Sequence, residues 1–477
     1  MKHNNLLLLI CAILTLFTLQ ASAQWSHQFA DVLSTSFIDL PVTNHRELNI
    51  PLIDSFETKQ YFNQFLSGDV DGDGINELVA LSESKDSLIV VDYIDRKVHS
   101  VPIPGTIGSF ELSFLTDFDG DGIEDIVIHS ETNPLKQLSV FSFLQNAVIY
   151  EYNCVNEGEV VDQSRLQQIH SFFHSFLDIN HNNSKELICV TQSAGSSVVM
   201  AISDQNSSAS ALIEHDGAII NDTFVLFQDS VFQETYVSFA SMKQDICSIS
   251  TYVLGKDDNE ATLLWSNSLP QHLHVSRMAM SQNEFEEAAL IVGAQSNDPE
   301  QERFLSEINI FTGEEITTIR LGKADCIDLS VGDFDENGVN DVVIFTSDFN
   351  IRRVDFRKQT SRLFTIQNAD HYIGGINLLS DNFGVENCTV RKRTGGIDLL
   401  LLNFSFDPIF PTSRVAINAE TFSRGILGDF DGNGNGEVVI ATKNQDRFKI
   451  NRIFFIDPDL PSPASHPITS VFDWNLY

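Results

Sequence analysis

Four nine-residue segments of this sequence share one pattern of acidic residues, asparagine and glycine, and an aliphatic, β-branched run follows each of them directly. They begin at Asp69, Asp117, Asp333 and Asp429. A fifth segment, which begins at Asp178, keeps the same frame with fewer charges. Because self-similarity at a fixed interval is the signature of a repeat protein, these segments constrain the fold more than any other feature of the chain.

The spacing of the segments locates further repeats. About 48 residues separate the first two segments, about 96 separate the last two, and about three periods of 52 fit between Asp178 and Asp333. Degenerate members are therefore expected near Asp229, Ser281 and Asp381, the last followed by an insertion that ends near Gly396. Eight repeats then start near residues 69, 117, 178, 229, 281, 333, 381 and 429.

A period of roughly 50 residues holds four strands of about six residues with their turns, which is the size of one propeller blade. The segments between the loops are rich in β-branched and aromatic residues, as in Asp86–Ile94, Leu138–Phe143 and Ile308–Phe311. Radial closure would also leave only short, protected strand edges. The sequence therefore predicts an all-β fold, a β-propeller of about eight four-stranded blades with calcium loops, over residues 61–477.

The nine-residue loops have the chemistry of a calcium site. Side chains at positions one, three and five fall on one side of a tight turn, position seven can offer its backbone carbonyl, and position nine adds a carboxylate. Such an all-oxygen cage suits calcium, which takes 6 to 8 ligands at about 2.3–2.6 Å, better than magnesium with its strict octahedral geometry. Glycine at position six, such as Gly74 and Gly122, permits the positive φ that the turn needs.

Two other interpretations of the loops compete with a calcium site. An EF-hand would need a glutamate at position twelve and a following helix, but position twelve is apolar, as in Ala80 and Ile128, and a strand-like run follows. The loops could also be plain acidic turns, because aspartate, asparagine and glycine are favoured in turns. Four segments in register favour metal binding. Position two is apolar throughout, and we expect it to pack in the core.

The overall charge narrows the choice of partners. The formal net charge is −37, from 66 acidic and 29 basic residues. Such a field repels nucleic acid and attracts divalent cations, although acidity can also serve solubility alone. We therefore expect no nucleic-acid partner.

The first 23 residues have the features of a secretory signal peptide. Lys2 precedes an apolar run from Leu6 to Leu19, and small residues at 21–23 form a cleavage site. We expect a secreted protein, extracellular or periplasmic, with no membrane span after the signal, because no later stretch approaches 18 consecutive apolar residues. Residues 24–60 carry no loop motif and are expected to form an N-terminal extension or a closing strand.

An apolar strand, a Gly-Asp-Phe-Asp-Gly-Asn-Gly type of loop, an acidic residue and a β-branched strand together resemble the FG-GAP or VCBS repeat family, including the propeller of integrin α subunits. Gly68-Asp69, Gly332-Asp333 and Gly428-Asp429 reproduce the start of the family's loop. Since integrin propellers have seven repeats, the resemblance leaves seven blades as an alternative to eight.

The resemblance implies about four calcium sites. Its implied ligands are Asp69, Asp71, Asp73, the Ile75 carbonyl and Glu77; Asp117, Asp119, Asp121, the Ile123 carbonyl and Asp125; Asp333, Asp335, Asn337, the Val339 carbonyl and Asp341; and Asp429, Asp431, Asn433, the Asn435 carbonyl and Glu437. Glutamate at position nine is longer than the usual aspartate. The Asp178 loop has Asn183 in place of the glycine.

The function expected from these features is a calcium-stabilised scaffold that binds proteins or mediates adhesion. No Gly-x-Ser-x-Gly, His-Glu-x-x-His or phosphate-binding glycine-rich motif occurs, so we expect no enzymatic activity. A carbohydrate-binding propeller, marked by exposed aromatic residues such as Trp265, is the main alternative. A polysaccharide lyase with its site in the central channel is a third hypothesis.

Overall fold

The strands of the computed structural model pair in sheets whose strand order follows the chain. The structure describes residues 37–38, 51–58, 62, 65–82, 84–103, 110–130, 138–152, 170–179, 186–193, 195–203, 209–220, 223–229, 234–254, 261–282, 288–332, 340–365, 369–379, 385–392, 396–403, 410–418, 421–422, 426–432, 437–443 and 451–461. Two short strands precede the repeats. They are β1 (Phe37–Ile38) and β2 (Pro51–Thr58).

The first four sheets follow one another along the chain. Sheet 1 consists of β3 (Phe65–Gly68), β4 (Glu77–Leu81), β5 (Ser87–Asp92) and β6 (Lys97–Pro102). Sheet 2 consists of β7 (Phe110–Thr116), β8 (Asp125–Ser130), β9 (Leu138–Ser142) and β10 (Ala147–Tyr152). Sheet 3 consists of β11 (His170–Leu177), β12 (Glu186–Ser193), β13 (Ser196–Ser203) and β14 (Ala209–His215). Sheet 4 consists of β15 (Ala218–Ile219), β16 (Val225–Asp229), β17 (Glu234–Lys243), β18 (Ile246–Leu254) and β19 (Ala261–Ser268).

The other four sheets continue in the same manner. Sheet 5 consists of β20 (Leu273–Gln282), β21 (Ala288–Ser296), β22 (Arg303–Asn309) and β23 (Glu315–Gly322). Sheet 6 consists of β24 (Cys326–Gly332), β25 (Asp341–Thr346), β26 (Asn350–Asp355) and β27 (Thr360–Thr365). Sheet 7 consists of β28 (Ala369–Leu379), β29 (Val385–Lys392), β30 (Gly396–Asn403) and β31 (Phe410–Asn418), with β1 beside β28. Sheet 8 consists of β32 (Thr421–Phe422), β33 (Ile426–Gly428), β34 (Glu437–Lys443) and β35 (Asn451–Pro461), with β2 beside β35.

This arrangement confirms an all-β fold built from four-stranded antiparallel sheets. Neighbouring strands within each repeat pair antiparallel, and among the described residues the sheets number eight. Each position at which the spacing predicted a repeat lies in or beside the turn between the first two long strands of a sheet. The degenerate members near Asp229, Ser281 and Asp381 follow this rule as well as the intact ones.

The prediction of an insertion after Asp381 is wrong. Residues 385–392 form the regular strand β29, which pairs with β28 and β30. The strand was missed because its polar residues hide the alternation, in which Cys388 and Val390 stand between polar neighbours. The predicted strand ends also shift. The Ile308–Phe311 segment leaves its strand at Asn309 and turns, which places Phe311 in a loop.

The hydrophobic core lies between consecutive sheets. Val70, at position two of the first loop, packs with residues of sheets 1 and 2, and Ile179 does the same between sheets 3 and 4. Phe430 is fully buried among residues of sheets 8 and 1, including Phe65 and Leu78. The expectation that position two packs in the core is therefore confirmed for these loops.

Strands from near the two ends of the described chain meet in sheet 8. Strand β2, near the N-terminus, pairs antiparallel with β35, near the C-terminus, from Thr58 opposite Asn451 to Leu52 opposite Asp457. Sheet 8 also contacts sheet 1, where the Asn76 amide donates to the Asp429 carbonyl at 3.0 Å. Residues distant in sequence therefore close the array of sheets at this junction.

No helix in the described ranges is long and apolar enough to cross a membrane. The signal peptide expected at residues 1–23 lies outside the described residues. The boundaries at residues 24–60 and 61–477 stay predictions.

The packing between sheets 8 and 1 predicts that Phe430→Ala lowers the melting temperature by several degrees. Emptying a buried phenylalanine site costs about 3–5 kcal/mol, and Phe430 is 0% exposed at the junction that joins the two chain ends. Differential scanning calorimetry measures the shift. Phe311→Ala is the matched control, because Phe311 is 37% exposed, and an equal shift in both variants would contradict the assignment of the core.

Candidate metal centre

The first two loops have the same hydrogen-bond pattern around position one. Asp69 accepts from the amide of Gly72 at 2.7 Å and from that of Gly74 at 3.0 Å. Asp117 accepts from the corresponding amides of Gly120 and Gly122 at 2.7 and 3.2 Å. The position-six glycines have φ of 88° and 89°, as the sequence predicts. The backbone therefore wraps around the first aspartate of each loop.

Positions three and five also accept backbone hydrogen bonds, each from the residue two places later. Asp71 accepts from Asp73 at 3.2 Å, and Asp73 accepts from Ile75 at 2.8 Å. In the second loop Asp119 accepts from Asp121 at 3.2 Å, and Asp121 accepts from Ile123 at 2.9 Å. These bonds fix the loop carboxylates in place without neutralising them.

The carboxylate at position nine closes each described loop. Its oxygen accepts a hydrogen bond from the amide at position two, seven residues earlier. This bond joins Glu77 to Val70 at 3.0 Å, Asp125 to Phe118 at 3.1 Å, Glu186 to Ile179 at 3.1 Å and Glu437 to Phe430 at 2.7 Å. The position-nine carboxylate therefore also has a structural role, since it holds the loop closed. The ligand pattern alone does not predict this role.

Three carboxylate clusters result from this geometry. In each one, ligand oxygens from positions one, three and nine lie within 4.8 Å of one another. The clusters are Asp69, Asp71 and Glu77; Asp117, Asp119 and Asp125; and Asp429, Asp431 and Glu437. Position nine is buried in all three, while positions one and three are partly or fully exposed. Each cluster can hold a metal ion whose outer side is open to solvent.

The electrostatics of the clusters favour a cation. Burial raises the pKa of Glu77 to about 9; the Val70 amide opposes the shift, and the neighbouring aspartates, Asp71 foremost, add to it. Burial likewise raises the pKa of Asp125 to about 6, opposed by the Phe118 amide and supported by Asp119 and Asp121. Since like charges and burial both disfavour the ionised carboxylate, a hard divalent cation would supply the missing counter-charge.

Some predicted ligands are not part of these clusters. Asp73 and Asp121, at position five, are not among the carboxylates that converge within 4.8 Å. The Ile75 and Ile123 carbonyls stay predicted ligands. The predicted ligands that lie outside the described residues are Asp333, Asp335, Asn337, Val339, Asn433 and Asn435.

The last predicted ligand of the third loop has another partner. Asp341 forms an ion pair with Arg353, with Nη2 and Oδ2 2.6 Å apart and both side chains 3% exposed. Arg353 occupies in sheet 6 the position that Val90 occupies in sheet 1. The pairing shows this, because Val342 lies opposite Val354 in sheet 6 as Leu78 lies opposite Val91 in sheet 1. A fixed guanidinium therefore faces the position-nine carboxylate in sheet 6, whereas the first loop has an apolar residue there.

Sequence analysis missed two charged residues near the loops. Arg353 lies twelve residues after position nine, within a strand, where no loop pattern points to it. Glu124, at position eight, is 3% exposed and immediately precedes the ligand position Asp125. One indication of Glu124 was present in the sequence: position eight of the second loop is an acid, whereas position eight of the first loop is Asn76.

Comparison with known proteins extends the description of the fold. No family model matches the chain, and no curated protein matches it. A quinohemoprotein alcohol dehydrogenase from Comamonas testosteroni has a similar structure, with a TM-score of 0.50 and 8% identity over 92% of this chain and 82% of that one. A europium-containing methanol dehydrogenase also has a TM-score of 0.50, with 7% identity over 92% of this chain and 98% of that one. At such identities the likeness shows a β-propeller-like fold alone.

The comparison corrects the expectation that the chain is not an enzyme. Both similar structures are dehydrogenases. The expectation rested on the lack of hydrolase and phosphate-binding motifs, and such motifs are a poor guide because unrelated chemistries are placed on the same fold. The lack of those motifs therefore does not exclude catalysis.

The bond between positions two and nine predicts that Glu186→Ala destabilises the protein by about 1–3 kcal/mol, because it leaves the buried Ile179 amide without its acceptor. The Asp178 loop has few carboxylates, so the loss should be the same in calcium and in chelator. Thermal melts in both conditions measure it. Glu214→Ala, at an exposed position of the same sheet, is the control; an effect of Glu186→Ala that appears only in calcium would contradict a purely structural bond.

Proposed function

We propose that this chain is a secreted calcium-binding β-propeller of the FG-GAP or VCBS type that serves as a protein-binding or adhesion scaffold, with calcium in a structural role. The observation that carries the proposal is the recurrence of one carboxylate cluster, from positions one, three and nine, at the same turn of sheets 8, 1 and 2. The lack of a matching family model leaves the resemblance resting on the loop residues.

Contacts between sheets support a closed ring of eight blades. They join each of sheets 1 to 6 to the next one and join sheet 8 to sheet 1. Sheet 8 follows sheet 7 directly along the chain, from Asn418 to Thr421. The N-terminal strand β2 completes sheet 8 as its outermost strand. A ring of eight blades, closed by strands from near both ends of the described chain, accounts for this pattern.

Calcium is the cation that best suits the clusters. Their ligand atoms are carboxylate oxygens, and hard oxygen ligands favour calcium or magnesium over softer metals. Partial exposure of positions one and three leaves room for backbone carbonyls and water, which the 6 to 8 ligands of calcium require. The ion would join the ends of two adjacent strands, as β3 is joined to β4, and would offset the repulsion within the loop.

Three exposed apolar side chains support the scaffold role. The turns between the third and fourth strands of sheets 1, 2 and 5 present Ile94, Leu144 and Phe311, which are 47%, 54% and 37% exposed. In an antiparallel sheet these turns lie at the same end as the metal loops, and Gln145 donates from Nε2 to Asp119 Oδ2 at 3.0 Å. Apolar side chains around an acidic, cation-binding face suit contact with another protein.

The carbohydrate-binding alternative gains no support from Trp265, and the other two tryptophans, Trp25 and Trp474, lie outside the described residues. Trp265 is 9% exposed, and its indole N–H donates to the Ile310 carbonyl at 2.7 Å. Its ring also packs against the backbone at Gly313. A sugar-stacking platform needs an exposed ring face, which this tryptophan does not offer.

Calcium binding is tested by calorimetric titration of metal-stripped protein. We expect at least three sites, one in each carboxylate cluster, and we expect calcium to raise the melting temperature by many degrees because it binds the folded state alone. Magnesium at the same concentration is the control and should stabilise much less. No uptake at millimolar calcium, or a melting temperature that chelator leaves unchanged, would refute the structural role.

The scaffold role is tested with the double variant Ile94→Ser/Leu144→Ser. Both residues are exposed, so calcium binding and melting temperature should be unchanged. The parent protein is expected to bind members of a panel of immobilised extracellular proteins in calcium, and the variant should lose that binding. Binding to a glycan array that survives in the variant would instead favour the carbohydrate alternative.

A further inference from the structure

Neighbouring metal loops are connected through position eight. The amide of Asn76, in the first loop, donates to the carbonyl of Asp429 in the last loop at 3.0 Å. The amide of Glu124, in the second loop, donates to the carbonyl of Asp69 in the first loop at the same distance. Each of these bonds joins position eight of one loop to position one of the preceding loop, so the three loops form a continuous row.

The side chain at position eight differs between the two connections. Asn76 Oδ1 accepts from the Asp429 amide at 3.3 Å, so the asparagine pairs with its neighbour twice. Glu124 is 3% exposed, and neither of its carboxylate oxygens has a hydrogen-bond partner. Position eight is therefore a neutral, hydrogen-bonded asparagine at the first connection and a buried acid at the second.

The position of Glu124 is tightly defined. Its Oε2 lies so close to Gly68 that a Cβ on that glycine would be 1.7 Å away, and Leu115 lies on the same side. Gly68 directly precedes Asp69, so the carboxylate is held beside the first metal loop while its own backbone belongs to the second.

A buried carboxylate without hydrogen-bond donors is costly unless a counter-charge is near. The described surroundings of Glu124 supply acids, Asp69 and Asp117, rather than a basic side chain. Cations bound in the two adjacent loops would therefore supply the positive charge near Glu124. Because Glu124 is not part of either carboxylate cluster, it would act through its field and not as a ligand.

We propose that Glu124 is a buried anion shared by the first and second loops that sets the affinity of both loops for divalent cations. The inference rests on the proposed calcium binding and adds a residue that the ligand pattern does not contain. The charge destabilises the cation-free protein and favours the cation-bound protein, so one residue controls two sites. Asn76, the position-eight residue at the other connection, gives the junction of sheets 8 and 1 no such charge.

The test is calcium titration of Glu124→Gln by calorimetry, together with thermal melts in chelator. Gln keeps the shape and removes the charge. We expect the number of sites to be unchanged, the affinity of two sites to fall by about tenfold or more, and the melting temperature in chelator to rise. Glu151→Gln, which removes an exposed charge from sheet 2, is the matched control and should leave affinity and melting temperature unchanged.

The outcomes separate this inference from the proposed function. If the parent protein takes up no calcium, the proposed function fails and this inference fails with it. If the parent binds calcium and Glu124→Gln binds it equally well, this inference alone is overturned. Glu124→Met should behave as Glu124→Gln does, and failure of both uncharged variants to fold would also overturn it, because the charge would then be a requirement of the fold.

Discussion

Repulsion between carboxylates within each loop is the constraint on which the rest of the structure depends. The loop backbone brings three carboxylates within 4.8 Å and buries one of them. Backbone amides offset part of the cost: Asp69 accepts two and Glu77 accepts one. They do not offset all of it, since the pKa of Glu77 still rises to about 9. The loops are therefore held in a shape that a divalent cation completes.

The loops also determine how the sheets are joined. Position two packs into the core between sheets, position nine closes the loop, and position eight connects it to the loop before it. One nine-residue segment thus places a carboxylate cluster that can hold a cation at the same point where two sheets meet. In sheet 6 the position-nine carboxylate is neutralised by a side chain, because Arg353 forms an ion pair with Asp341. In sheet 6 a guanidinium therefore supplies the counter-charge that a cation would supply in sheets 8, 1 and 2.

The sequence predicts the strand content and the repeat positions well because both follow from local pattern. Even the degenerate loops near Asp229 and Ser281 fall at the turns that the spacing requires. Strand β29 was missed because its apolar alternation is weak. Contacts between residues far apart in sequence could not be predicted from a loop pattern: the pairing of β2 with β35, the Arg353 to Asp341 ion pair and the burial of Glu124 against Gly68 all depend on how sheets meet. The inference about enzymatic activity failed for another reason, because it was drawn from motifs that belong to other folds.

Anomalous diffraction from crystals grown in calcium tests the central claim most directly. The account predicts anomalous difference peaks in the first, second and last loops, each with oxygen ligands from positions one, three and nine, as for Asp69, Asp71 and Glu77. Well-ordered loops with no peak at these carboxylates would contradict it.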